Sequence, residues 1–205
     1  MDFSMLCQER AEIKNLTGET DELIRRAQAG DDVAFGAIFE QHSRFVYKFI
    51  YAMLGDRGSG AAEELTQETF LAAYKNIRSL RGEAGLRTWL CAIAKNLVYK
   101  FLRSRGKEGL NSGGAKAASL KVADDKSVLP DREFLSKELN NVIRAALAEL
   151  DEDKRLVFIL KELQHLSYKE ISEITGAGVP KLKTDLHRAK IEMRRALRPY
   201  LEAKI

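Results

Sequence analysis

A regularly spaced set of basic side chains lies near the carboxyl end of the chain, on a segment with helical periodicity. Apolar residues recur there at intervals of three and four and form one buried stripe: Leu182, Leu186, Ala189 and Met193. Polar residues remain for the outer face: Lys181, Thr184, Asp185 and Arg188, with Lys183 and His187 beside them. In a DNA major groove, Lys and Arg contact guanine edges or phosphates, and Thr bonds to bases or approaches thymine methyls. The alternative is a helical hairpin with a basic face in solvent.

The residues before this segment predict how it is positioned. Ser167 and Glu170 have the spacing of a capping box, which starts a short helix with Tyr168, Ile171 and Ile174 inward. Gly176-Ala177-Gly178 then provides a turn with two residues free to adopt positive φ, and Pro180 suits the first position of the next helix. A short helix, a glycine turn and a basic helix are typical of a helix-turn-helix.

A second basic segment lies in the amino-terminal half. Seven Lys or Arg and one acidic residue lie between Arg81 and Lys107, and eight against three lie between Gly178 and Ile205, whereas the rest of the chain is net acidic. Phosphate neutralisation by Lys and Arg drives nucleic-acid binding. Two separated basic segments therefore indicate two contacts with a polyanion, the alternative being two solvated helix faces.

The periodicity is helical nearly everywhere, and we find no sustained strand alternation. A stretch rich in Gly and Ser separates two helical regions and reads as a flexible linker. The predicted fold is all-α: two small helical domains joined by that linker, the second with a helix-turn-helix. The predicted limits are an amino-terminal tail at 1–18, a first domain at 19–104, a linker at 105–132 and a second domain at 133–205.

Composition excludes several other classes. The chain has 205 residues, of which 45% are hydrophobic and 31% charged, with a net charge of +4. Lys48, Lys95 and Lys100 interrupt the longest apolar stretches well below the roughly 18–20 residues of a membrane span, and the start lacks a secretory signal. We therefore expect a cytoplasmic protein without membrane insertion.

No residue pattern predicts catalysis. Cys7 and Cys91 lie far apart and the three His residues are scattered, so we expect neither a disulfide nor a metal site. A phosphate-binding glycine loop and a nucleophile triad are also missing from the sequence. The prediction is a protein that is not an enzyme and needs no cofactor.

Four segments resemble the extracytoplasmic-function (ECF) group of bacterial sigma factors: Glu64–Phe70, Thr88–Leu97, Tyr168–Ile171 and Leu186–Lys190. They occur in the family's order, and the resemblance extends from about Asp21 to Leu197. It implies an alternative sigma factor that binds core RNA polymerase and directs promoter recognition and transcription initiation. The first domain would serve the −10 element, the second the −35 element, and an anti-sigma factor would control the protein.

The resemblance also implies roles for particular residues. Those expected to bind polymerase lie on one acidic helix: Glu63, Glu64, Gln67 and Glu68. Glu63 and Glu64 also suit the positive end of a helix dipole, and Phe70 is expected in the core.

Two further sets would contact promoter DNA. Residues for capturing an unstacked base of the −10 element are Arg78, Arg81, Arg87, Trp89, Lys95, Asn96, Lys100 and Arg103. Residues for the −35 element are Lys169, Pro180, Lys181, Lys183, Thr184, Asp185, His187 and Arg188. Trp89 is either a stacking platform or a core anchor, and its apolar helical neighbours favour the anchor.

Three positions depart from the family pattern. Many relatives have Arg where this chain has Ala92, Asp where it has Lys100, and a basic residue where it has Asp185. An outward acid repels phosphate or accepts from a cytosine amino group, so the promoter sequence does not transfer. The alternative function is a freestanding helix-turn-helix regulator, which would bind an operator without polymerase. That function leaves the acidic helix and the Trp-containing helix without a role.

Overall fold

The computed structural model describes residues 18–55, 59–80, 85–111 and 131–202, with side chains except at 59, 106–111, 131–138 and 201. It consists of helices: α1 (18–28), α2 (Asp32–Leu54), α3 (Ala62–Asn76), α4 (Leu86–Asn111), α5 (Asp131–Glu149), α6 (Glu152–Phe158), α7 (Tyr168–Thr175) and α8 (Val179–Glu202). Short 3-10 turns at Ser59–Ala61 and Ile77–Ser79 flank α3, and a π-helical turn at Ile159–Leu163 extends α6. These segments contain no strand, so the all-α prediction is confirmed.

The amino-terminal domain is built around α2. The Asp31 side chain caps this helix by accepting hydrogen bonds from the amides of Val33 and Ala34. Gly55 ends it with a φ of 56°, a conformation that glycine adopts without a Cβ clash. One face of α2 packs on α3 and α4, and its largest buried side chains are Ile38, Phe49, Ile50, Met53 and Leu54. Burying one such side chain stabilises the folded state by about 1.5–3 kcal/mol, which explains why the apolar period determines the fold here.

The carboxy-terminal domain contains α5–α8. In α7 the predicted capping box is present: the Ser167 hydroxyl accepts from the Glu170 amide at 3.3 Å, and the Glu170 carboxylate accepts from the Ser167 amide at 2.7 Å. Gly176 ends α7 with a φ of 73°, whereas Gly178 does not have a positive φ. The buried stripe of α8 is the predicted one: Leu182, Leu186, Ala189 and Met193. The helix-turn-helix prediction is therefore confirmed in its caps, its turn and its packing.

Two helix limits differ from the prediction. Helix α8 begins at Val179, one residue before Pro180, so the proline lies in the first turn rather than at the first position. It is tolerated because amides of a first helical turn have no partner within the helix. Helix α4 continues to Asn111, so 105–111 is helical although we assigned it to the linker. Once a helix has formed, each added residue contributes one further backbone hydrogen bond. A glycine in it costs only about 1 kcal/mol relative to alanine.

The two domains contact each other, α2 and α4 on one side and α5, α6 and α7 on the other. Arg155 of α6 lies at this interface and is 3% exposed. Its guanidinium donates to the carbonyls of Leu147, Ala148 and Leu150 at the end of α5, and to the Met53 carbonyl of α2. One side chain therefore satisfies the carboxyl ends of helices from both domains.

Candidate nucleic-acid and polymerase interface

The acidic helix α3 presents its predicted residues to solvent. Glu63, Glu64, Gln67 and Glu68 are all exposed, while Leu65, Phe70 and Ala73 face the core. Phe70 is 4% exposed and packs edge-on against Phe39, with ring centroids 4.9 Å apart, which confirms its expected core position. The exposed side of α3 is thus an acidic surface that can pair with a basic partner.

Apolar side chains adjoin this acidic surface, and the sequence analysis missed them. Leu71 and Tyr74 are 60% and 49% exposed, and they follow Gln67 by four and seven residues, which places them on the same side of α3. The Tyr74 hydroxyl donates to Asp32 at 2.7 Å, and its ring packs edge-on against Phe35. Helical spacing from Gln67 was the available signal. A surface that combines carboxylates with exposed apolar area suits a protein partner better than DNA.

Three of the exposed α4 residues assigned to the −10 element lie along one groove. Asn96, Lys100 and Arg103 are exposed, and with Tyr99 and Ser104 they line a groove of about 470 Å³. Burial raises the pKa of the Tyr99 phenol to about 12, an effect that the nearby Asp153 and Glu152 reinforce. The groove joins two cations, an amide and an aromatic ring, a combination suited to a phosphate backbone with an unstacked base.

Two other residues of α4, Thr88 and Lys95, turn toward the second domain. The Lys95 ammonium donates to the Ile174 carbonyl of α7 at 2.7 Å, and burial lowers the pKa of this lysine. Thr88 is 2% exposed, and its hydroxyl donates to the Glu170 carboxylate of α7 at 3.3 Å. Burial alone would raise the pKa of Glu170, but the hydrogen bonds from Ser167 and Thr88 outweigh it and lower the pKa. Lys95 therefore does not lie on the exposed face of α4 that carries Asn96.

The remaining −10 candidates have varied surroundings. Arg78 is exposed in the 3-10 turn at Ile77–Ser79. The Arg87 guanidinium lies 4.3 Å from the centroid of the Phe45 ring, a cation–π contact within the first domain. Trp89 is partly buried and packs against the core, which supports the anchor interpretation. Arg81 lies outside the described residues.

The recognition helix α8 leaves most of its predicted face in solvent. Exposed side chains assigned to the −35 element are Pro180, Lys181, Lys183, Thr184, His187 and Arg188, together with Lys169 on α7. The Lys183 ammonium lies 5.7 Å from the centroid of the Tyr168 ring, so α7 supports the start of this face. The Thr184 hydroxyl donates to the Pro180 carbonyl at 3.1 Å. This geometry permits an approach to a major groove along the whole helix face.

Asp185 is the exception on this face. Its side chain is 13% exposed, and its carboxylate accepts from Lys181 at 2.8 Å. Lys181 also bonds to Asp153 of α6 at 3.1 Å, and the two carboxylates, Asp185 first, raise the pKa of the lysine. The sequence analysis placed Asp185 outward, whereas in the structure its carboxylate is mostly buried and pairs with Lys181, one helical turn away.

Other kinds of site have no support in the described segments. They contain no group of three metal-ligating side chains and no helix long and apolar enough to cross a membrane. Cys91 is buried, and burial raises the pKa of its thiol to about 12. A thiol protonated in this way is a poor nucleophile, which agrees with its expected core role.

Comparison with known proteins assigns the two domains. Residues 38–108 match the family model of Sigma-70 region 2, and residues 140–193 match that of Sigma-70, region 4. The ECF RNA polymerase sigma factor SigW of Bacillus subtilis is 34% identical over 181 residues, covering 85% of this chain and 95% of that protein. The ECF RNA polymerase sigma-E factor of Escherichia coli K12 is 29% identical over 191 residues, covering 87% and 94%.

Solved structures give the same fold. The sigma factor RpoE of Bartonella quintana, in complex with the anti-sigma factor NepR, superposes with a TM-score of 0.66 at 23% identity, covering 80% of this chain and 96% of that one. CnrH, in complex with the cytosolic domain of CnrY, gives 0.64 at 20% identity, covering 88% and 98%. On the family models, the identity to SigW and the shared motifs, the chain belongs to the ECF group of sigma-70-type RNA polymerase sigma factors.

Proposed function

We propose that this sigma factor uses three separate surfaces to bind its partners. The acidic face of α3 docks on core RNA polymerase, the basic surface of α4 engages the −10 element, and the exposed face of α8 reads the −35 element. The observation that carries this proposal is the coexistence, on one chain, of an exposed acidic helix and an exposed helix-turn-helix. A regulator that worked without polymerase would need only the second of these.

In this role the protein acts in the cytoplasm and catalyses no reaction itself, since RNA synthesis belongs to the core enzyme. Its contribution is binding energy: phosphate contacts position the polymerase, and base contacts select the promoter. Lys183 and Arg188 supply charge on α8, while Lys100 and Arg103 supply it on α4.

In vitro transcription and footprinting on genomic fragments test the proposal, with the protein alone and with core polymerase. We expect transcripts and protection of a complete promoter only when both are present. Sharp protection by the protein alone, with no change on adding core enzyme, would support an autonomous regulator instead.

A charge reversal tests the docking surface separately. We expect Glu68→Lys to weaken binding to core polymerase at least tenfold, because the new lysine repels a basic partner. Glu40→Lys makes the same charge change at an exposed position of α2 and serves as the control. Equal polymerase binding by both variants would remove α3 from the interface.

We further infer that an anti-sigma factor controls the protein by covering the acidic and apolar side of α3. Exposed Leu71 and Tyr74 supply apolar area that a protein partner buries. Such a partner and core polymerase would then compete for one surface. Leu71→Asp should weaken capture of both partners in pull-downs, whereas loss of only one would contradict a shared surface.

A further inference from the structure

Gln28, the last residue of α1, joins that helix to the turn that follows α3. Its side-chain amide donates to two backbone carbonyls, that of Ile77 at 3.1 Å and that of Leu80 at 2.9 Å. A glutamine amide carries two N–H groups, so one nitrogen can serve both acceptors at once. The two acceptors lie on either side of Arg78 and Ser79 in the chain. One side chain therefore holds this turn at both of its ends.

The end of α1 that carries Gln28 is closed by hydrogen bonds of its own. The Gly30 amide donates to the Ala27 carbonyl at 3.0 Å, and the Asp31 amide donates to the Arg26 carbonyl at 3.1 Å. Together with the φ of 95° at Gly30, these two bonds form a Schellman motif. The Arg26 guanidinium also pairs with the Asp31 carboxylate at 2.6 Å. Since Ala27 is buried in the core, Gln28 projects from an anchored helix end.

The turn on the other side of this contact combines a buried stem with exposed polar side chains. Ile77 and Leu80 are buried, whereas Arg78 and Ser79 are exposed. The Leu80 amide donates to the Ile77 carbonyl at 3.1 Å. The Leu80 carbonyl lies past the end of the 3-10 turn, where backbone acceptors have no partner within the helix. Gln28 supplies a donor there, and it thereby fixes where the backbone of Arg78 stands in the domain.

We propose that Gln28 is a positioning residue for Arg78, and that α1 acts through it in recognition of the −10 element without touching DNA. An exposed arginine is long and mobile, so a fixed backbone beneath it lowers the entropic cost of ordering it on a DNA strand. The inference rests on the proposed function, in which the first domain engages the −10 element and Arg78 is one of its contacts.

Binding of the holoenzyme to the single-stranded −10 segment of one of its promoters tests this, read by fluorescence anisotropy with full-length variants. Gln28→Met removes the amide donors and keeps the length of the side chain. We expect it to weaken −10 binding about fivefold, the effect of losing one or two hydrogen bonds, with unchanged binding to core polymerase and to the −35 duplex. Gln41→Met makes the same change at an exposed glutamine of α2 and should bind as the wild type does.

A double-mutant cycle separates positioning from a purely structural role. We expect Arg78→Ala to weaken −10 binding about tenfold, as the loss of one arginine contact to a nucleic acid does. The variant with both changes should bind no more weakly than Arg78→Ala alone, because Gln28 then has no arginine to position. Effects that multiply to about fiftyfold would overturn the proposal. Unchanged −10 binding by either single variant would do the same.

Amide hydrogen exchange, followed by NMR, shows whether Gln28→Met acts locally. We expect the Leu80 amide to exchange at least fivefold faster, while buried α2 residues such as Phe49 and Ile50 keep their wild-type rates. Faster exchange throughout α2 would indicate general destabilisation and overturn a local positioning role. Transcription by the wild-type holoenzyme tests the sigma function itself. Its absence would contradict the proposed function, whereas transcripts together with multiplying effects would contradict only the role of Gln28.

Discussion

The two basic surfaces differ in what surrounds them. On α8, Lys183 and Arg188 project into solvent from a helix whose opposite side is held by its own domain. On α4, Lys95 donates to α7 of the other domain, whereas Asn96, Lys100 and Arg103 are exposed. Two helices with similar basic charge therefore do not expose their basic side chains to the same extent. The second domain supports one of the two proposed DNA surfaces and partly covers the other.

Helix α7 connects these two situations. Its Ile171 and Ile174 are buried, while its Glu170 and the Ile174 carbonyl contact α4. The helix that supports the recognition helix is thus the same one that covers Lys95. Changes in and around α7 should alter both surfaces, whereas changes on the outer face of α8 should alter only one.

The largest expected effect concerns the contact between the two domains. Arg155→Met removes a buried guanidinium that bonds to carbonyls of both domains, and the Leu147 carbonyl keeps its bond from the Leu150 amide. We expect the free energy of unfolding to fall by about 3 kcal/mol, measured by chemical denaturation, because several hydrogen bonds to a charged group are lost together. Arg194→Met, at an exposed position of α8, should change it by less than about 0.5 kcal/mol. A loss below about 1 kcal/mol at Arg155 would show that the two domains barely depend on this contact.

On the exposed face of α8, Arg188→Ala should weaken binding to the −35 duplex by about tenfold, which is the effect of losing one good base or phosphate contact. Arg198→Ala, near the far end of α8, is the control, since Arg198 pairs with Glu202 there. Binding is measured by fluorescence anisotropy at a fixed salt concentration. Similar losses for both variants would mean that α8 contributes only diffuse charge.

The turn that leads into α7 offers a stabilising change. His165 has a φ of 58°, in the left-handed region that side chains with a Cβ rarely adopt. His165→Gly should raise the free energy of unfolding by about 1 kcal/mol, because glycine adopts this backbone conformation without strain. Thermal denaturation would reveal the gain as a higher Tm. An unchanged or lower Tm would indicate that the imidazole makes a compensating contact.

The smallest effect is expected at Asp185. Asp185→Asn removes one of the two carboxylates that hold Lys181, so the ammonium, left with Asp153 alone, pairs more readily with phosphate. Binding to unrelated duplexes should strengthen a few-fold, with a salt dependence steeper by at most about one counterion. If Asp185 instead accepts from a cytosine, the same variant would lose affinity for its own promoter and leave nonspecific binding unchanged.

Local sequence signals were enough for the helix-turn-helix. The capping box at Ser167, the left-handed Gly176 and the stripe from Leu182 to Met193 are short-range features, and each has its predicted form. The limits of α4 were harder to predict, because its glycines past 104 resemble a linker but are tolerated in a helix that has already formed.

Contacts between the domains could not be predicted in the same way. Periodicity placed Lys95 on a polar face of α4 but gave no reason for it to bond to Ile174, a residue 79 positions later. Lys181, which pairs with Asp185, also pairs with Asp153 from another helix. Both cases require the tertiary arrangement, which a pattern along one helix does not contain.

The most direct test is to measure binding of the free full-length protein and of its holoenzyme to two separate probes from one of its promoters, the −35 duplex and the single-stranded −10 segment. We predict that the free protein binds the −35 duplex in a salt-dependent manner but binds the −10 strand at least tenfold more weakly than the holoenzyme does. A free protein that binds both probes as tightly as the holoenzyme would contradict the account, because core polymerase would then add nothing to promoter recognition.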